Sequence, residues 1–84
     1  MRYEVKLKPR ASKDLRRISR NDAARIVDAL EKLEEDFVGD VKRLTGFTPE
    51  YRLRVGDYRI LFEIEEGNLV VVYRIRHRRE AYRE

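Results

Sequence analysis

Residues 51–59, YRLRVGDYR, set Arg52, Arg54 and Arg59 around a Gly56-Asp57 step. An arginine keeps its proton and presents a planar fork of donors that fits phosphate oxygens, so it is suited to holding an anion and unsuited to acting as a base. Gly-Asp between two strand-like runs is hairpin chemistry. A two-residue loop there pairs Val55 with Tyr58, Arg54 with Arg59, Leu53 with Ile60, Arg52 with Leu61 and Tyr51 with Phe62. One face of the hairpin is then wholly apolar, with Tyr51, Leu53, Val55, Tyr58, Ile60 and Phe62. The other carries Arg52, Arg54 and Arg59 with Leu61 and Glu63. Like charges directly across a ladder repel and destabilise a sheet.

The run Leu69–Ile75 extends the row. Closing the second turn on Glu66-Gly67, or on the four residues 65–68, sets Ile64 against Leu69 and Arg59 against Arg74. Closing it on Gly67-Asn68 sets Arg59 against Arg76. Either way Leu69, Val71, Tyr73 and Ile75 are expected on the core face, with Val70, Val72, Arg74 and Arg76 beside the arginines. Exposed strand arginines are often no more than a solvated surface. Three aligned on neighbouring strands are harder to dismiss, because a polyanion seated on that face would relieve their repulsion. After the last strand come His77, Arg78 and Arg79, and then Tyr82, which no apolar stripe claims and which is suited to stacking on a base or touching a phosphate. Cations around His77 favour its neutral form, which suits a base, although a lone His is more often structural.

Several elements must position these groups. Tyr3, Val5 and Leu7 alternate with Glu4, Lys6 and Lys8 as in a half-buried strand, which Pro9 ends. Ala11, Leu15 and Ile18 recur at helical spacing from Arg10 to about Ser19. A second helix follows, with Ser19 or Asn21 as N-cap, Ala23, Ile26, Leu30, Leu33 and Phe37 as its stripe, and Gly39 as its stop. Residues 40–50 show no period and are read as a connection. The expectation is an α+β fold in one domain spanning 1–84: an N-terminal strand, a helical hairpin, then a three-stranded antiparallel meander, with the helices on one face of a four-stranded sheet. Tyr3, Tyr51, Tyr58 and Tyr73 are expected to pack in the core.

Composition narrows the partners. Of 84 residues, 43% are charged, well above the usual ~25%. The 20 Lys+Arg exceed the 16 Asp+Glu, giving a formal net charge of +4, and arginine dominates the basic set. A phosphate-bearing partner fits this balance, as do the surface ion networks of thermophilic chains. The absence of cysteine excludes disulfides and thiolate metal sites, and a single His leaves no metal cage. No cofactor is expected. The N-terminal residues lack the apolar core of a signal peptide, and no run approaches a membrane span, so the expected location is the cytoplasm, with no membrane partner.

The order of elements, the length and the stretch YRLRVGDYRILFEIEEGNLVVVYRIRHRREAY at 51–82 resemble the RelE/ParE superfamily of toxins from bacterial and archaeal toxin–antitoxin operons. The likeness covers nearly the whole chain, and its RelE-like branch is favoured by Tyr82. That branch implies a ribosome-dependent mRNA endoribonuclease working in the ribosomal A site, where the ribose 2′-hydroxyl attacks the scissile phosphate, and a cognate antitoxin that neutralises it. It also implies working residues: basic groups matching Arg52, Arg54 and Arg59, a basic pair near His77 and Arg78, and the tyrosine matching Tyr82. Arg74, Arg76 and Arg79 would add contacts to nucleic acid. Where some members have lysine, this chain has Arg52 and Arg54, which leaves the general base to Tyr82, His77 or the ribosome. The competing readings are a ParE-like inhibitor of DNA gyrase and a non-catalytic RNA- or DNA-binding module.

Overall fold

The computed structural model describes residues 2–80. In chain order it has β1 (Glu4–Leu7), α1 (Pro9–Arg17), α2 (Arg20–Asp36), β2 (Asp40–Arg43), β3 (Tyr51–Val55), β4 (Tyr58–Glu65) and β5 (Leu69–His77). The strands form one mixed sheet in the order β1-β5-β4-β3-β2, antiparallel except where β1 runs parallel to β5. Both helices pack on one face, as the amphipathic patterns require, and the other face is open.

Pro9 occupies the first turn of α1, where its fixed φ fits and its missing N–H costs nothing. Ser19 caps α2, its hydroxyl accepting from the Asp22 N–H at 3.4 Å. The helix stops at Phe37 rather than at Gly39. Phe37 adopts a left-handed φ of 54°, and its N–H returns to the Leu33 carbonyl at 3.0 Å. Ring contacts to Tyr3 and Phe62, with centroids 4.8 and 6.3 Å away, hold it in a conformation that only short polar residues and glycine usually take. Gly39 serves close approach instead: a Cβ there would lie 2.7 Å from Leu53 Cδ1.

The core joins Ala11 of α1 and Ile26, Leu30 and Leu33 of α2 to Leu53, Ile60, Phe62, Val70, Val72 and Ile75 of the sheet. Each large aliphatic or aromatic side chain so buried contributes about 1.5–3 kcal/mol. Tyr3, Tyr51 and Tyr58 pack against this cluster as expected; Tyr73 is absent from it.

Two features differ from the sequence reading. The sheet has a fifth strand, because Asp40–Arg43 pairs with β3 at the edge. Val41 is the one apolar residue of the four and the one packed against the core, too little for a visible period. In β5 the faces are exchanged near the turn: Val70 and Val72 are fully buried, whereas Leu69 and Val71 lie on the open face. The loop between β4 and β5 has three residues, Glu66, Gly67 and Asn68, with φ of 84° and 57° at the last two, so Glu65 rather than Ile64 faces Leu69. A β-bulge then restores the far half. Phe62 pairs with Val72 and Leu61 with Arg74, leaving Tyr73 without a partner on β4. Beyond it, Ile75 returns to the core and Arg76 falls opposite Arg59.

Candidate nucleic-acid interface

The first hairpin closes on Gly56-Asp57, with Gly56 at φ 57°, and all five expected pairs form. Arg54 therefore faces Arg59, and Arg59 faces Arg76. The row crosses three strands on the open face. It does not end there, since β2 places Asp40 opposite Arg54.

Asp40 changes the electrostatics. Its carboxylate accepts from Arg54 Nη2 and, at 3.2 Å, from Arg52 Nη1, which also donates to the Asp40 carbonyl at 2.8 Å. The hydrogen bond from Arg52, opposed by some desolvation and aided by the charges of Arg54 and Arg52, holds the Asp40 carboxyl below the ordinary carboxylate range. Arg52 is thereby pinned, its side chain only 12% exposed, while Arg54 stays 54% exposed. The sequence gives little sign of Asp40 because it gives little sign of β2: Asp-Val-Lys-Arg directly after Gly39 is the available signal.

Arg59 is held differently. Its Nη1 donates to the carbonyls of Gly56 and Tyr58 at 2.9 and 3.0 Å, so the turn itself orients the guanidinium. Among the described residues neither Arg59 nor Arg76 has a carboxylate in ion-pair range. These two facing cations, next to the half-engaged Arg54, form the part of the row with the least internal compensation.

Arg74 is committed elsewhere. At the stretch of β5 left free beyond β1, its Nε and Nη2 donate to the Asp14 carboxylate at 2.8 and 3.1 Å, and the Ile75 N–H donates to the same group at 3.0 Å. Helix α1 thus covers an exposed edge amide and a cation with one carboxylate. Burial alone raises the Asp14 pKa, but the bonds from Arg74 and Ile75, with the charges of Arg74 and Arg76, outweigh it and hold the carboxyl low; the Arg74 guanidinium is correspondingly raised.

The groups after the row are spread. His77 pairs with Tyr58 and meets its ring edge-on at 5.7 Å, so it belongs to the helix side of β5 rather than to the face that carries the row. Its Nδ1 accepts the Arg79 N–H at 3.3 Å, which in the neutral ring leaves the proton on Nε2 and no free lone pair. His77 lines a cleft of about 200 Å3 with Asp14, Arg17, Tyr58, Arg76 and Glu80. The Arg78 N–H donates to the Asp57 carbonyl at 2.7 Å, and its Nε lies 3.8 Å from the Asp57 carboxylate, placing an exposed cation by the first turn. Arg79 is exposed. Tyr82 lies outside the described residues. Among the described residues no group of three or more potential metal ligands occurs, and no helix is long and apolar enough to cross a membrane.

The open face is therefore suited to binding anions through a preorganised arginine row, and among the described residues it carries no evident proton-transfer pair. Residues 5–82 match the family model of the ParE toxin of the type II toxin–antitoxin system parDE. Toxin RelE3 of Methanocaldococcus jannaschii is 32% identical over 75 residues, covering 83% of this chain and 84% of the relative. Putative toxin RelE1 of the same organism is 25% identical over 88 residues, covering 99% and 98%. Among solved structures, the chain resembles the RelB–RelE antitoxin–toxin complex from Methanococcus jannaschii, with a TM-score of 0.74 at 28% identity over 90% of this chain and 93% of that one. It also resembles the archaeal RelE–RelB complex from Pyrococcus horikoshii, at 0.78 and 26% over 96% and 100%. The toxin–antitoxin complex RelBE2 from Mycobacterium tuberculosis gives 0.78 and 26% over 92% and 99%.

Proposed function

Because the chain belongs to the ParE toxin family within the RelE/ParE superfamily, and is a toxin of a type II toxin–antitoxin system, we propose that its arginine row grips mRNA in the ribosomal A site and promotes cleavage there. The supporting observation is the alignment of Arg54, Arg59 and Arg76 across β3, β4 and β5, with Arg59 oriented by its own turn. In the reaction the ribose 2′-oxygen bonds to the adjacent phosphorus as the bond to the 5′-oxygen breaks, leaving a cyclic phosphate and a 5′-hydroxyl. Negative charge builds on the phosphoryl oxygens in the transition state, where preoriented donors act most strongly; removing one such donor costs about 10²–10³ in rate.

Proton transfer is assigned to groups outside the row. Arg52 and Arg54 hold their protons, and the lone pair of His77 is engaged by Arg79. That leaves Tyr82 or the ribosome, which can also hold the 2′-hydroxyl in line with the leaving oxygen. The reading sets the protein in the cytoplasm, with a cognate antitoxin that masks the open face.

The test is cell-free translation with wild type and Arg59→Ala, mapping mRNA 5′ ends by primer extension. Codon-phased cuts that need ribosomes and fall at least about a hundredfold in Arg59→Ala support the reading. A second reading is favoured by the description of the matching family model, that of ParE: inhibition of DNA gyrase. Intact mRNA together with blocked gyrase supercoiling would establish that reading instead.

A further inference from the structure

Tyr73 occupies a place that the arginine row does not explain. Alternation from Val70 and Val72, which are buried, puts Tyr73 on the open face; alternation back from Ile75, also buried, puts Arg74 there too. The bulge is what allows both. Lys8 identifies the same side independently: its Nζ lies 5.3 Å from the Tyr73 ring centroid, and it shares a cleft with Lys6 and Val71, both on the open face. Read along β5, that face is apolar through Leu69 and Val71, aromatic at Tyr73, and cationic at Arg76, the charge of the intervening Arg74 being paired with Asp14. Leu61 on β4, opposite Arg74, is only 7% exposed, as is Val71. Glu63 and Glu65, across from Val71 and Leu69, repel phosphate from the apolar end. The surface thus changes from apolar to cationic between Val71 and Arg76, with the Tyr73 ring between them, which matches the two halves of a nucleotide.

We propose that Tyr73, flanked by Leu61, Val71 and Lys8, is a nucleotide subsite: an unstacked base of single-stranded RNA lies on the Tyr73 ring while its phosphate points to Arg76 and Arg59. Arg76 lies three positions beyond Tyr73, about 10 Å at strand spacing, a distance that one nucleotide can bridge. The exposed Lys8 ammonium caps the ring in the free protein. A stacked base makes the larger contact, so it displaces the ammonium, which is then free for a neighbouring phosphate. This inference rests on the reading of the row as an RNA site.

The test measures binding of a short fluorescent single-stranded RNA by anisotropy and mRNA cleavage in cell-free translation, using Tyr73→Ala, Tyr73→Phe, Lys8→Gln and Arg59→Ala. Thermal melting checks each fold. Tyr73→Ala is expected to weaken binding about tenfold with an unchanged salt slope. Tyr73→Phe should stay within about twofold of wild type, and an RNA with one abasic position should lose affinity to wild type but not further to Tyr73→Ala. If wild type binds and cuts RNA, Arg59→Ala does not, and Tyr73→Ala matches wild type, the subsite is wrong while the row stands. If Tyr73→Ala cuts normally but escapes its antitoxin, the surface belongs to the antitoxin and the proposal is overturned. A wild type that neither binds nor cuts RNA removes the reading of the row and the subsite with it.

Discussion

Asp40 stands directly opposite Arg54 on neighbouring strands, and its carboxylate also ties down Arg52. The row therefore begins with a negative charge and becomes less compensated toward Arg59 and Arg76. An anion approaching the face meets strongest attraction at the β4–β5 side, next to Tyr73, and competition from a built-in carboxylate at the β3 side.

Replacing Asp40 by Asn should separate binding from positioning. Two arginines lose their competitor, so affinity for free single-stranded RNA should rise a few-fold, and the log–log salt slope should steepen by about 0.7 for each additional phosphate neutralised. Arg52 loses its anchor, and cleavage in cell-free translation should fall about tenfold. Stability should change little, as is typical of exposed, solvent-screened pairs. Anisotropy titrations at several salt concentrations, set beside primer extension, check the two opposite effects. Since the Asp40 pKa is lowered from 3.8, the pair stays ionised above that pH and should give cleavage no transition in the neutral range.

Asp14 makes a pH-dependent contribution to folding. Its pKa in the folded chain lies below the ordinary value of 3.8, so the stabilisation is fully present above that pH and is lost as pH falls through the folded value. Asp14→Asn should unfold more easily at pH 7 by about 2 kcal/mol, having lost charged bonds to Arg74 and Ile75. For a domain of this size that lowers Tm by about 10 °C. Melting curves from pH 7 to pH 2 should show the gap between wild type and variant narrowing below about pH 4.

Gly39 links the helical layer to the row. Ala at this position would thrust a methyl group to 2.7 Å from Leu53 Cδ1, and Leu53 is almost fully buried, so it has little room to yield. The cost should be about 1–3 kcal/mol in urea unfolding. Because Gly39 immediately precedes Asp40, the displacement should also loosen the hold on Arg52 and Arg54, lowering cleavage even well below Tm.

How much of this was legible in the sequence depended on turn length. The Gly56-Asp57 loop has two residues and fixes its register, so the β3–β4 pairs, including Arg54 with Arg59, followed from pattern alone. The second turn admitted several closures, and the three-residue loop gave the near half of β5 the opposite faces from those expected. The bulge at Tyr73 then reversed that exchange, so Arg76 still reached Arg59, by a route that alternation cannot encode. Asp40 was hidden for another reason: a four-residue edge strand with one inward apolar side chain carries almost no periodic signal. His77 was correctly seen at the strand end, but its side of the sheet depends on the same parity that the bulge resets.

The parallel pairing of β1 with β5 also orders events in time. Among the described strands β1 pairs with β5 alone, so it has no partner until β5 is made and the sheet stays open until then. Arg76 arrives with that same strand. A nascent chain therefore carries Arg54 and Arg59 on an unfinished sheet, and the row is completed only when one late-arriving strand pairs with β4 on one side and β1 on the other.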